Sequence, residues 1–256
     1  MPGSRVLAAL AVLSAIGCGR SGFDSRDDAA PPPDVATPDA TTGPVVAYAM
    51  DDDPSTGRIT SSSSEFDGTC TRCPTQTAGR LGNAYAFDGS AEVRLPAPAG
   101  ALLGTAPYTV SMWLNATTMP QTSIGVVIAK PFSATSDANV YSVWVNHDPP
   151  GQVFYETTPS GEPASYEFVS SPVGVDVRGT WHHVATTWDG TTKRLYVDGA
   201  VVASSTMQVV GSSELIVLGT DVDNNTVTLH YVGALDELQL YARALGDSEI
   251  AALAAP

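Results

Sequence analysis

WHHVATTWDGTTKRLYVDGAVVASS, residues 181–205, is the stretch that decides the fold. Trp181–Trp188 reads as a strand, Asp189-Gly190 as a turn and Lys193–Val197 as the strand that returns. Asp198-Gly199 then turns the chain again into Val201–Ser204. Asp-Gly between alternating segments is the strongest short-range hairpin signal, because both turn positions require a positive φ. Two such turns in one stretch predict a three-stranded antiparallel meander.

The same texture extends in both directions. Short segments rich in Val, Tyr, Thr and Trp recur between Gly, Pro, Asn and Asp, which is the pattern of an all-β chain. Upstream lie Val45–Met50, then Ala84–Phe87 with Asp88-Gly89 leading into Ala91–Leu95 as strand, turn and strand. In Tyr108–Asn115, Val110, Met112 and Leu114 alternate with Thr109, Ser111 and Trp113. Ile124–Ala129, Val140–Asn146, the turn Asp148-Pro149-Pro150-Gly151, Gln152–Thr157 and Tyr166–Val169 follow. Leu215–Gly219, Thr226–Val232 and Ala234–Tyr241 complete the strands. A short helix is expected only at the end, capped by Asp247 or Ser248, with Ile250 and Leu253 on one apolar face. No repeat of solenoid type is present, so the pattern predicts a two-sheet antiparallel sandwich.

A chain of 256 residues suffices for one large all-β domain. Twelve Lys and Arg stand against 27 Asp and Glu, a net charge of −15. Such a surface repels phosphate backbones, which argues against a nucleic-acid partner. It suits calcium or plain solubility.

Residues 1–18 stand apart. Arg5 precedes the apolar run Val6–Ile16, which is too short to span a bilayer and reads as a secretory signal. Ala15-Ile16-Gly17-Cys18 looks like a bacterial lipobox, which implies that Cys18 is lipidated and that the protein is anchored at a membrane surface. Gly19 after that cysteine, by the habit of such lipoproteins, points to the outer membrane and the cell surface. Residues 19–43 are rich in Pro, Asp and Ala and read as a disordered tether. The folded domain is then 44–256. Cys70 and Cys73 remain as a pair, in a compartment where disulfides persist. Their Thr, Ser, Gly and Pro surroundings suit neither a thioredoxin-type site nor zinc, so a small structural disulfide is expected.

Four segments resemble one family when taken together and in order. They are Asn83–Gly89 (NAYAFDG), Tyr108–Leu114 (YTVSMWL), the WHHVA and LYVDG halves of the 181–199 hairpin, and Gly233–Leu245 (GALDELQLYARAL). These resemble the laminin-G-like jelly rolls of the concanavalin A-like lectin/glucanase kind. The resemblance implies two antiparallel sheets and a protein that recognises a polysaccharide or another protein outside the cell.

It also implies a calcium site joining the first strand to the last, whose carboxylates here would be Asp51 and Asp53, within Asp51-Asp52-Asp53, together with Asp236. Calcium takes six to eight oxygens from carboxylates and loop carbonyls. The second acidic cluster, Asp221, Asp223, Asn224 and Asn225, is read as an ordinary hairpin turn. For a glycan, aromatic faces beside planar polar groups are needed. Trp144, His147 and Tyr155, around the 148–151 turn, are the expected ligand contacts. Catalysis is not expected. No run of the ExDxE or ExDxxE kind, which puts two or three carboxylates on one face of a strand, is present, and Asp236 and Glu237, being adjacent, face opposite ways on a strand.

Overall fold

The computed structural model describes residues 43–97, 104–117, 124–161, 165–207 and 209–255. The expectations for Cys18, the signal segment and nearly all of the tether fall outside them. Among the described residues no helix is long and apolar enough to cross a membrane.

The described residues form 18 strands and one α-helix. In chain order the strands are β1 (Val46–Tyr48), β2 (Arg58–Ile59), β3 (Gly68–Thr69), β4 (Thr75–Ala78), β5 (Asn83–Asp88) and β6 (Val93–Leu95). Next come β7 (Tyr108–Ala116), β8 (Gly125–Pro131), β9 (Asn139–Val145), β10 (Val153–Thr157), β11 (Glu167–Ser170) and β12 (His182–Trp188). The last are β13 (Lys193–Val197), β14 (Ala200–Ser205), β15 (Ile216–Leu218), β16 (Asp221–Asp223), β17 (Thr226–Thr228) and β18 (Val232–Tyr241), before α1 (Asp247–Leu253). Sheet I runs β14-β13-β12-β7-β18-β5-β4, with β1 also paired to β18. Sheet II runs β11-β10-β9-β8-β15-β6-β3-β2, and β16–β17 stands apart as a small hairpin. All strand pairs are antiparallel, as the alternation and turns predict.

The core lies between the sheets. Val110, Met112, Leu114 and Val184 of sheet I share one cluster with Tyr141, Val143, Val145, Val153 and Tyr155 of sheet II. Burying a side chain of this size contributes about 1.5–3 kcal/mol. The tyrosine hydroxyls are satisfied across the gap. Tyr108 and Tyr155 pair at 2.6 Å, and Tyr141 meets Thr186 Oγ1 at 2.8 Å. On the outer face of sheet I, α1 seats fully buried Ile250 with Leu245 against Ala185, Tyr196 and Tyr241.

The turns show which expectations hold. Asp198 (φ 49°) and Gly199 (φ 80°) close the two-residue β13–β14 hairpin as predicted. At Asp189-Gly190 only Gly190 (φ 97°) takes the left-handed region. There Asp189 Oδ1 instead accepts the N–H groups of Thr191 and Thr192, and the loop is longer. Asp88-Gly89 turns the chain but makes no hairpin: β5 joins sheet I and β6 joins sheet II. The expected strand 226–232 is two pieces, β17 and the start of β18, separated by Leu229 at φ 49°. The helix cap is Gly246, whose N–H is held by Glu249 at 2.9 Å, while Asp247 accepts from the Tyr196 hydroxyl at 2.9 Å. Cys70 and Cys73 form the disulfide.

Candidate functional site

The outer face of sheet II carries a depression that combines aromatic and polar side chains. Two cross-strand rows build it. Glu156 pairs with Phe168 on one side and Ser142 on the other. Phe154 pairs with Trp144, which pairs in turn with Val126. A bulge between Val126 and Ile128 turns Val126 and Ala129 outward to pack on Trp144, while Val127 and Ile128 enter the core. The β16–β17 hairpin then borders the face with Asp221, Asp223 and Asn224, enclosing about 470 Å³.

The aromatic floor is layered. Trp144 stacks on Phe154 at 5.1 Å and 9°, and Phe168 presents its edge to both rings. Trp144 is therefore only 8% exposed, whereas Phe168 and Tyr166 are each about half exposed (49% and 50%). The rings that an incoming ligand meets are Phe168 and Tyr166.

Beside them lie four carboxylates, of Asp137, Glu156, Asp221 and Asp223, with Asn139, Ser142 and Asn224. Asn139 Nδ2 donates to Asp221 Oδ2 at 2.8 Å, and Val222 N–H donates to Asp221 Oδ1 at 2.7 Å. Burial, with Asp223 nearby, pushes the Asp221 carboxyl up to about 6. Burial first, and then the charge of Asp221, pushes Glu156 up to about 8, against a smaller opposing pull from Lys193. Among the described residues no donor reaches the Glu156 carboxylate, and Asn139 Oδ1 is buried without a partner.

Of the three expected ligand contacts, the structure places only Trp144 here. Tyr155 is a correction: it is fully buried between the sheets, because it pairs with inward-facing Val143. His147 lies beyond the end of β9, leading into the Asp148 turn, and does not line the depression. The residues not anticipated are Phe154, Phe168, Tyr166, Asn139, Glu156 and Asp137. The expected hairpin is present, but Asp221 and Asp223 lie on its strand β16 and only Asn224 and Asn225, at positive φ, make the turn; Asp221, Asp223 and Asn224 also border this face.

The expected calcium residues separate in the same way. β18 passes from β5 to β1 at a bulge that begins at Asp236. There Asp236 Oδ2 accepts the N–H groups of Arg80 (2.8 Å) and Leu81 (3.0 Å), and Asp51 Oδ1 accepts that of Asn83 (2.7 Å). Two carboxylates from opposite ends of the chain thus pin one turn. Asp236 Oδ1 is buried and unpartnered, and the charge of Asp51 adds to the burial that raises the Asp236 carboxyl. Asp51 and Asp236 fit a hard cation. Asp53 does not join them, because its carboxylate caps a short 3₁₀ turn through Ser55 N–H at 2.9 Å. Among the described residues no three His, Cys, Asp or Glu side chains are arranged to hold a metal.

Comparison with known proteins agrees with this architecture. No curated protein matches the sequence. Among solved structures, domain 4 of an extracellular arabinanase from Geobacillus stearothermophilus, in complex with arabinotriose, superposes with a TM-score of 0.61 at 19% identity. That match covers 84% of this chain and 99% of the domain. The binding domain of botulinum neurotoxin serotype G gives 0.60 at 12% identity over 82% of this chain and 50% of its own. Trypanosoma rangeli sialidase gives 0.62 at 16% identity over 83% of this chain, which spans only 32% of the sialidase. At these identities the likeness shows the fold. In sequence, residues 87–251 match the family model for laminin-G domains. The chain belongs to the laminin-G-like family of the concanavalin A-like lectin/glucanase superfamily.

Proposed function

We propose that this protein is a non-catalytic module that binds an extracellular polysaccharide on the outer face of sheet II. The observation that carries this reading is the pairing of half-exposed rings, Phe168 and Tyr166, with the polar groups of Glu156, Asn139 and Asp221 in one depression. Sugars are bound by aromatic faces against C–H surfaces and by a few fixed polar groups that select hydroxyls. The arabinotriose-bound domain of the same fold supports the ligand class. A disulfide at Cys70–Cys73 suits an oxidising compartment, in keeping with a surface protein anchored through Cys18. A calcium ion held by Asp51 and Asp236 would supply the positive charge that their juxtaposition lacks.

One observation favours a glycan-cleaving enzyme as the rival: Glu156 and Asp221 lie in the same depression. A hydrolytic pair needs one carboxyl kept protonated and the other ionised, so their environments push the two apart. Here burial pushes Glu156 up to about 8 and Asp221 up to about 6, so the pair meets that condition near neutral pH. We prefer binding without cleavage because the two carboxyls come from separate elements, β10 and β16, and no ExDxE-type run lies along one strand of this face.

The test is a glycan array with the full chain, followed by calorimetry and reducing-end release on each hit. Binding that Phe168→Ala weakens by about three- to tenfold, with no product formed, is expected. Product formation lost in Glu156→Gln overturns the non-catalytic reading. Binding unchanged in Phe168→Ala, or no glycan bound at all, overturns the site.

A further inference from the structure

The polar side of the depression is one-sided in charge. Asp137, Asp221, Asp223 and Glu156 all line it, and among the described residues no Lys or Arg does. Lys193, whose charge acts on Glu156, is committed elsewhere: its Nζ donates to Thr157 Oγ1 at 3.0 Å and to the Glu167 carbonyl at 2.7 Å. Acidic residues alone say little, since most are simply solvated. Two further groups point to a ligand. Asn139, 4% exposed, spends its amide N–H on Asp221 and leaves Oδ1 buried and unpartnered. Glu156, 9% exposed, makes no side-chain hydrogen bond within the described residues, and its carboxylate oxygens open onto the depression rather than being sealed in the protein. A buried acceptor without a donor costs about 1–3 kcal/mol, which a ligand's N–H groups would relieve.

Directly opposite Glu156 stands the half-exposed ring of Phe168, with Tyr166 beside it. Carboxylates next to aromatic faces form the arrangement that accepts an organic cation, drawn by both charge and ring quadrupole. Among the described residues no three ligating side chains are arranged for a metal, and an anionic sugar would be repelled.

We propose that the polysaccharide recognised here carries free amino groups, as a non-acetylated 2-amino-2-deoxyhexose does, with its ammonium seated between Phe168 and the Glu156–Asp221 pair. This rests on the glycan-binding reading above. Acetylation would remove the charge and two of the three N–H donors. Because Glu156 is held up to about 8 by burial and by Asp221 and Asp223, seating the ammonium also displaces a proton from it near neutral pH.

The experiment is calorimetric titration of the full chain with a glucosamine oligomer, its fully N-acetylated counterpart and a glucose oligomer of equal length. The glucosamine oligomer is expected to bind about tenfold or more tightly than either, a difference of one good charged contact. Glu156→Gln combined with Asp221→Asn should shrink that preference to within about twofold. A chain of net charge −15 also attracts polycations without a site. Glu65→Lys, on an exposed residue outside the depression, changes the net charge by the same amount and should keep the preference. A preference that falls equally in both variants is bulk attraction and overturns the proposal. Equal or tighter binding of the acetylated or glucose oligomers overturns the amino-group assignment while leaving the glycan reading intact. No binding of any oligomer overturns both.

Discussion

Glu156 stands directly across the β10–β11 ladder from Phe168, so a buried carboxyl without a hydrogen-bond donor abuts a half-exposed ring. Each is costly alone: the carboxyl is desolvated and the ring is left in water. Their adjacency on one face makes functional sense of both. The costs are local, because the opposite face of the same strands, Val153 and Tyr155, belongs to the closed core.

Stability should record the cost of Glu156. A carboxyl whose pKa is higher in the folded state, here about 8 against an ordinary 4.5, holds its proton longer when folded. The fold therefore loses stability as pH rises through that window, and the full penalty stands above about 8. Glu156→Gln keeps the shape and removes the penalty. Its melting temperature should match the parent near pH 4.5 and exceed it progressively to pH 8, a gain of about 1–3 kcal/mol at the alkaline end. Parallel thermal melts across this range check it. A difference that does not change with pH would mean that Glu156 titrates normally.

Ring removal separates binding from folding. Phe168→Ala and Tyr166→Ala truncate side chains that are already half in water, so each should cost under about 1 kcal/mol of stability. Each should weaken glycan binding by about three- to tenfold, the worth of one aromatic contact. Trp144→Ala should behave differently. Trp144 is 8% exposed beneath Phe154 and Phe168, so its loss should cost about 3 kcal/mol or more of stability along with binding. Urea unfolding beside calorimetry distinguishes the cases. A stable Trp144→Ala would show that the layered floor does not hold the face together.

This layering shows how much of the site the sequence disclosed. Alternation alone sets Trp144 outward between the core residues Val143 and Val145. Tyr155 shows that nearness to the 148–151 turn does not mean a shared face. Counting register outward from that turn pairs Val153 with Val145 and Phe154 with Trp144, which puts Tyr155 inside. Asp221 and Asp223 were recognised as a hairpin, but nothing local shows that the hairpin folds beside β8. The bulge at Val126 was equally hidden, since Val126–Val127–Ile128 is apolar on both faces. At Asp88-Gly89 the residues specify a turn and cannot specify which sheet the next strand joins. Turns and strands are written in neighbouring residues; the meeting of distant ones is not.

Calcium should act at the bulge of β18. If Asp51 and Asp236 hold the ion, millimolar calcium should raise the melting temperature by about 5 °C or more, as expected for a ligand well above its Kd on a domain of this size. Chelator should reverse the shift. Asp51→Asn keeps an acceptor for the Asn83 N–H yet removes one charge, so it should abolish most of the response. Asp53→Asn should leave it intact, because that side chain caps a turn through Ser55. Equal melting temperatures with and without calcium would remove the ion from both carboxylates.

Gly199 couples the predicted hairpin to the helix behind it. At φ 80° a side chain is strained whatever surrounds it, and a Cβ here would lie 3.1 Å from Ala251 Cα and 3.2 Å from Ala254 Cβ. Gly199→Ala must therefore both hold a left-handed backbone and push the end of α1 away from sheet I. The left-handed cost alone is about 1 kcal/mol, and displacing the helix disturbs buried Ile250, so a loss of about 2 kcal/mol is expected. Helix α1 packs on the outer face of sheet I, whereas the glycan face belongs to sheet II, so oligosaccharide affinity should stay within about twofold of the parent. Denaturant unfolding and calorimetry on the same preparation check both halves. Lost affinity with unchanged stability would show that the two faces of the sandwich are coupled through the core.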